Sequence, residues 1–192
     1  IGKERVIWRY DPIIINEKYS IDWHIERFKY LTEQLCLYTE KVTISFIDLY
    51  TKISHNIKGK NIYELSYEQK NTLARYFAEI AYSHNIEIDT CAEDIDLSSY
   101  GITHARCIDD RLISKLLHCS IDIEKDKNQR LECGCIASID LGLYNTCQNG
   151  CIYCYANHSY AIRKQNFETY DPFSPLLCSN ITEFDKITEF DF

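Results

Sequence analysis

Three strand-like runs alternating with three helix-like ones constrain this chain more than any other feature. "RVIWRYDPI" (5–13), "VTISFIDLY" (42–50) and "IEIDTC" (86–91) are rich in β-branched and aromatic residues. Between and after them, residues 20–38, 66–85 and 109–119 read as helices. In the first helix Ile21, Ile25, Phe28, Leu31 and Leu35 recur on one face, and Ser20 is placed to cap its start. In the second, Leu73, Phe77, Ile80, Ala81 and His84 share a face. This repetition favours parallel strands joined by right-handed crossovers. The expected class is α/β, with a partial (β/α) barrel-like parallel sheet over residues 1–118; a doubly wound sheet fits the same pattern.

In either architecture chemistry collects where the strands end. Arg9 and Asp11 are expected to follow the first strand, Asp48 closes the second, and Thr90, Cys91 and Glu93 close the third. Arg9, Asp11 and Asp48 are therefore candidates for binding a substrate or cosubstrate. The plainer alternative makes them helix caps or turn residues. The alternation stops at residue 119. Residues 119–160 are polar and Cys-rich, as expected of a C-terminal metal-binding loop region in which metal–thiolate bonds replace a core. Residues 161–192, with Pro172, Pro175 and the echo ITEFDK/ITEFDF, read as a surface tail.

Ten cysteines in a 192-residue acidic chain suggest metal binding in a reducing cytoplasm rather than a disulfide framework. A net charge of -8 argues against a nonspecific nucleic-acid or anionic-membrane surface. No apolar run approaches the roughly 18 residues of a membrane span. The chain opens on Ile1 and holds no Met, which leads to the expectation that it is a fragment lacking N-terminal strands.

Cys147, Cys151 and Cys154 form C-x3-C-x2-C, with Tyr153 just before the last cysteine. Three thiolates leave a coordination position open, as catalytic metal sites do. The spacing and the aromatic resemble the signature of radical S-adenosylmethionine enzymes. That resemblance implies a [4Fe–4S] cluster held at three corners, with S-adenosylmethionine on the fourth iron and a reductant protein as electron donor. Structural zinc and unligated thiols are the alternatives. Four more cysteines, Cys91, Cys107, Cys133 and Cys135, make a possible closed set for a second cluster or a zinc ion; burial as small apolar residues is the competing explanation. Cys36, Cys119 and Cys178 carry no such pattern. His104, His158 and Asp140 are weaker candidates, and Tyr144, Tyr153 and Tyr155 bracket the triad.

"RVIWRYDPI", "TISFIDLY", "CAEDIDLSSYGITHARCID" and "DKNQRLECGCIASIDLGLYNTCQNGCIYCYAN" together resemble the bacterial family called domain of unknown function 1848. The resemblance implies a partial or complete barrel related to the radical S-adenosylmethionine enzymes, and more distantly to spore-photoproduct-lyase-like proteins. It also implies a cluster at Cys147, Cys151 and Cys154. Here the triad follows three β/α units instead of the first strand, and no GGE-like stretch for the methionyl amine is present. The readings are thus an iron–sulfur enzyme with a small-molecule cosubstrate, an electron carrier, and a zinc-stabilised interaction module.

Overall fold

The computed structural model describes residues 1–188, so the second half of the ITEFDF echo lies partly outside the described residues. The chain divides into two compact units. The first comprises Ile1–Leu49 and Gly59–Ile139; the second comprises Tyr50–Lys58 and the chain from Asp140 onward.

In the first unit β1 (Ile7–Ile13), β2 (Lys41–Phe46), β3 (Glu87–Thr90) and β4 (Thr103–His104) form one parallel sheet in sequential order. Arg9 pairs with Thr43, Thr43 with Asp89 and Asp89 with Thr103, so these four residues lie in one row across the sheet. The β1–β2 register shifts between Tyr10 and Ile13, at Asp11–Pro12, where proline has no amide to give the ladder. A sequential order built through right-handed crossovers puts successive helices on the same face. This is the barrel-like arrangement rather than the doubly wound one.

Helix α1 (Ile21–Leu35) begins as expected, with Ser20 Oγ accepting the Trp23 amide at 3.1 Å. After β2 comes the short α2 (Ser54–Ile57), which belongs to the second unit. Helix α3 (Tyr67–Ser83) starts with a reciprocal capping box: the Gln69 amide donates to Ser66 Oγ, and the Ser66 amide donates to Gln69 Oε1. Helix α4 (Asp110–Leu117) is capped by Asp109, which accepts the Arg111 amide at 3.0 Å, and ends at His118 in the left-handed region.

The core sits between the sheet and α1 and α3. Phe28 and Phe77 stack with ring centroids 4.0 Å apart, Trp8 stacks on Phe28 at 5.0 Å, and Tyr10 meets both phenylalanines edge-on. The fully buried row of α1 is His24, Phe28 and Thr32, with the expected Ile21, Ile25, Leu31 and Leu35 flanking it half-buried. Both polar members are satisfied. Thr32 donates to the Phe28 carbonyl at 2.8 Å. His24 Nε2 lies 2.9 Å from the Ile14 carbonyl, which only accepts, so Nε2 carries the proton and Nδ1 accepts the Tyr10 hydroxyl at 2.7 Å.

The second unit holds the cysteine triad and a helix absent from the sequence reading, α5 (Tyr160–Glu168), capped by Ser159. Its sequence has no buried residue to reveal a period. Among the described residues no helix is long and apolar enough to cross a membrane.

Two measurements test this core. Phe77→Ala removes one ring of the stack and is expected to cost about 3–5 kcal/mol in denaturant unfolding; a cost below about 1 kcal/mol would show that the stack does not hold α1 to α3. Burial lowers the pKa of His24, so the folded state disfavours its charged form. Its contribution to stability is therefore complete above about pH 6.5, the ordinary histidine value, and is lost as pH falls through the lowered value. His24→Gln should flatten the acid side of the stability–pH curve, and an unchanged slope would count against the assignment.

Candidate functional site

Alternation along the strands separates two faces. Trp8 and Tyr10 on β1 point to the helices, so Arg9 and Asp11 point the other way, with Thr43 and Ser45 on β2 and Asp89 on β3 in register beside them. In a barrel this second face would be the interior. It is polar and internally paired. Asp89 accepts Thr43 Oγ1 at 2.6 Å and Lys41 Nζ at 2.7 Å.

Arg9 and Asp11 lie within β1 rather than after it, because the strand runs on to Ile13. Arg9 shares the row of Thr43 and Asp89, and its side chain reaches Asp11 and Cys107. Its Nη2 and Nε donate to Asp11 Oδ2 at 2.5 and 3.0 Å, and its Nη1 donates to Cys107 Sγ at 3.1 Å. Ser45 donates to the other Asp11 oxygen. Ser45 was not singled out from the sequence; its signal was the two-residue period it shares with Thr43. Asp48 is separate from this pair and takes a hydrogen bond from Arg130. Glu93 is buried against the end of β2, where it accepts the Phe46 amide at 2.7 Å and Lys70 Nζ at 3.3 Å. Burial pushes its carboxyl pKa up, against the pull of these two partners.

Four cysteines gather beside Arg9. Cys91 directly follows β3, and its amide extends the ladder to the Ile44 carbonyl. Ala92, the next residue, takes a left-handed backbone with φ 51°, an arrangement that costs a non-glycine residue of order 1 kcal/mol. Cys107 lies between β4 and α4, and its sulfur is 3.2 Å from that of Cys91. Cys133 and Cys135 are buried in a cluster with Ala92, and Cys91 packs against it. The amides of Cys107 and Ile108 both point at Cys135 Sγ, at 3.1 and 3.4 Å. Gly134 makes this approach possible: a Cβ there would stand 2.9 Å from Arg106 Cγ and 3.2 Å from the Ala105 carbonyl. Backbone bonds from Asp126 to Cys135 and from Ala137 to Glu124 hold the loop in place.

The environment separates the two touching thiols. The hydrogen bond from Cys107 lowers the pKa of Cys91; burial opposes this and Arg9 assists it. The same hydrogen bond pushes the Cys107 thiol up, with burial adding to the effect.

In the second unit the triad occupies the loop between Asn145 and Ser159. Asn145 is buried and anchors the loop base. Its Oδ1 accepts the amides of His158 and Ser159, each at 2.9 Å, and its own amide reaches the Ala156 carbonyl. Asn157 Nδ2 donates to the Cys147 carbonyl at 2.7 Å, and the Cys154 amide to that of Cys151 at 3.1 Å. Gly150 turns the loop with φ 64°, a conformation glycine adopts without strain. Cys147 and Cys151 are exposed and Cys154 is half-buried. The rings of Tyr153 and Tyr155 lie 6.3 and 6.0 Å from that of Tyr50. A cavity of about 270 Å³ opens beside Cys151, lined also by Gly150, Asn157, Ser159 and Arg163. Asn157 Oδ1 is buried there without a hydrogen-bond partner. His158 is occupied with Asn145, His104 stands beside Thr90, and Asp140 closes a turn onto the Gly142 amide.

Among the described residues no three Cys, His, Asp or Glu side chains converge closely enough to hold a metal ion as they stand. All ten cysteines are free thiols.

The family described as domain of unknown function (DUF1848) matches residues 1–156. The chain belongs to that family. The match spans the four-stranded sheet and every cysteine except Cys178, ending just past the triad and before α5. No curated protein and no solved structure matches the chain. The site of this DUF1848 member is therefore read from its own residues.

One prediction concerns the touching thiols. In metal-free protein Cys91 should react with iodoacetamide below the ordinary thiol pKa of about 8.5, while Cys107 resists. Arg9→Gln should move the Cys91 reaction to higher pH. Equal reactivity of both thiols, read by mass spectrometry across pH, would refute the asymmetry.

Proposed function

We propose that this protein is an iron–sulfur protein whose [4Fe–4S] cluster is held by Cys147, Cys151 and Cys154, with chemistry of the radical S-adenosylmethionine kind. One observation carries the reading: three thiols on a single short loop, two of them exposed, on a frame fixed at its base by Asn145. The donor set suits such a cluster, because three thiolates leave one iron for a cosubstrate. When bound, the cluster would supply one-electron reduction of that cosubstrate.

The chain's own residues have definable parts in this reading. Gly150 turns the loop without strain, and binding would draw the thiols before and after it to one centre. Tyr153 and Tyr155 place aromatic surface beside the loop, which limits water. Arg163 and the orphaned Asn157 Oδ1 offer a cation and a hydrogen-bond acceptor beside Cys151, suited to the carboxylate and amino groups of an amino-acid-like cosubstrate. An electron donor, a reductant protein, is the implied partner. The free thiols suit a reducing compartment such as the cytoplasm.

Anaerobic reconstitution of the full chain with iron and sulfide tests the proposal. The expected product is brown, with iron and sulfide in equal amounts, and Cys151→Ala should lose most of both. Unchanged iron in that variant, or colourless protein carrying only zinc at the triad, would overturn the assignment. S-adenosylmethionine should then perturb the electron paramagnetic resonance of the reduced cluster. A spectrum indifferent to it would leave an electron carrier.

A further inference from the structure

We propose that Cys91, Cys107, Cys133 and Cys135 form a second and closed site in the first unit, which takes one thiophilic divalent ion of the zinc class as a tetrathiolate. The four thiols come from three separate segments: the end of β3, the turn before α4, and the 133–135 loop. Burial alone explains Cys133 and Cys135, since free cysteine packs as a small apolar residue. It does not explain the exposed Cys107 or the donors aimed at sulfur.

Those donors are the second observation. Two backbone amides point at Cys135 Sγ and the Arg9 guanidinium at Cys107 Sγ. Such N–H groups favour thiolate over thiol and are the outer partners that ligating sulfurs use. Four thiolates around a divalent ion leave a net charge of -2. Arg9 offsets part of it, and Asp11 and Ser45 hold Arg9 in place.

Geometry favours one ion over a cluster. Two thiolates at about 2.3 Å from a zinc ion stand about 3.8 Å apart in a tetrahedron. Cys91 and Cys107, at 3.2 Å, need to open by only about half an ångström. The corner ligands of a cube of four irons lie much farther apart. Closure of the 133–135 loop onto this pair then accompanies metal binding, as ligation and local folding are coupled.

The test uses the full chain with Cys147, Cys151 and Cys154 all changed to alanine, so that its outcome is independent of the triad. Titration with Co2+ should give one equivalent with the charge-transfer and ligand-field bands of a tetrahedral tetrathiolate, displaced by one equivalent of Zn2+. Cys91→Ser or Cys135→Ser should weaken Zn2+ binding at least about a hundredfold, and Arg9→Gln about tenfold. Zinc-edge absorption on the unmodified, zinc-loaded protein, whose fold no substitution disturbs, should include sulfur at about 2.3 Å. Absence of the cobalt bands, binding indifferent to Cys91 and Cys135, bound iron with sulfide in the triad-free chain, or a Cys91–Cys107 disulfide as the sole product would each overturn the proposal.

Discussion

The stack of Phe28 on Phe77 is the contact on which the first unit's organisation depends. It joins α1 to α3 over one face of the sheet, with Trp8 and Tyr10 rising from β1 to meet it. Because strand side chains alternate, committing Trp8 and Tyr10 to the helices commits Arg9 and Asp11 to the opposite face. The same holds on β2, where buried Val42, Ile44 and Phe46 alternate with Thr43 and Ser45. The aromatic core thus determines where the polar residues stand without touching them.

That polar face is a built surface rather than a leftover one. Thr43 and Lys41 both pair with the buried Asp89, where an unpaired carboxylate would be costly. Where the Arg9 side chain reaches from that row to Cys107, beyond β4, the pairing changes character. Arg9 divides its donors between a carboxylate and a thiol, and the chain after β3 bends through the left-handed Ala92. Ordinary ion pairing gives way there to sulfur, and both the strained backbone and the close approach at Gly134 occur within the same small region.

Much of this was legible in the sequence because it rests on periodicity. The three strand–helix repeats, the Ser20 cap and the placement of Cys91 at a strand end all follow from local pattern, whereas Arg9 and Asp11, expected after the first strand, lie inside it because pairing with β2 continues to Ile13. Three features were not legible, each for a physical reason. β4 is two residues long, too short to show alternation. The buried row of α1 includes His24 and Thr32, polar residues whose partners lie on β1, on the segment after it, and on the helix's own backbone. α5 buries nothing fully, so its sequence carries no apolar stripe. Among the candidate site residues, the pairing of Arg9 with Asp11 follows from their spacing of two on one strand. The partnership of Asp48 with Arg130 spans 82 positions and leaves no local trace.

The brevity of β4 has a consequence for the sheet as a whole. Thr103 and His104 are its hem, stitched to β3 by few bonds and, among the described residues, paired with no strand on the far side. Cys107 hangs three residues beyond it, so whatever grips that sulfur also keeps the last strand from lifting away.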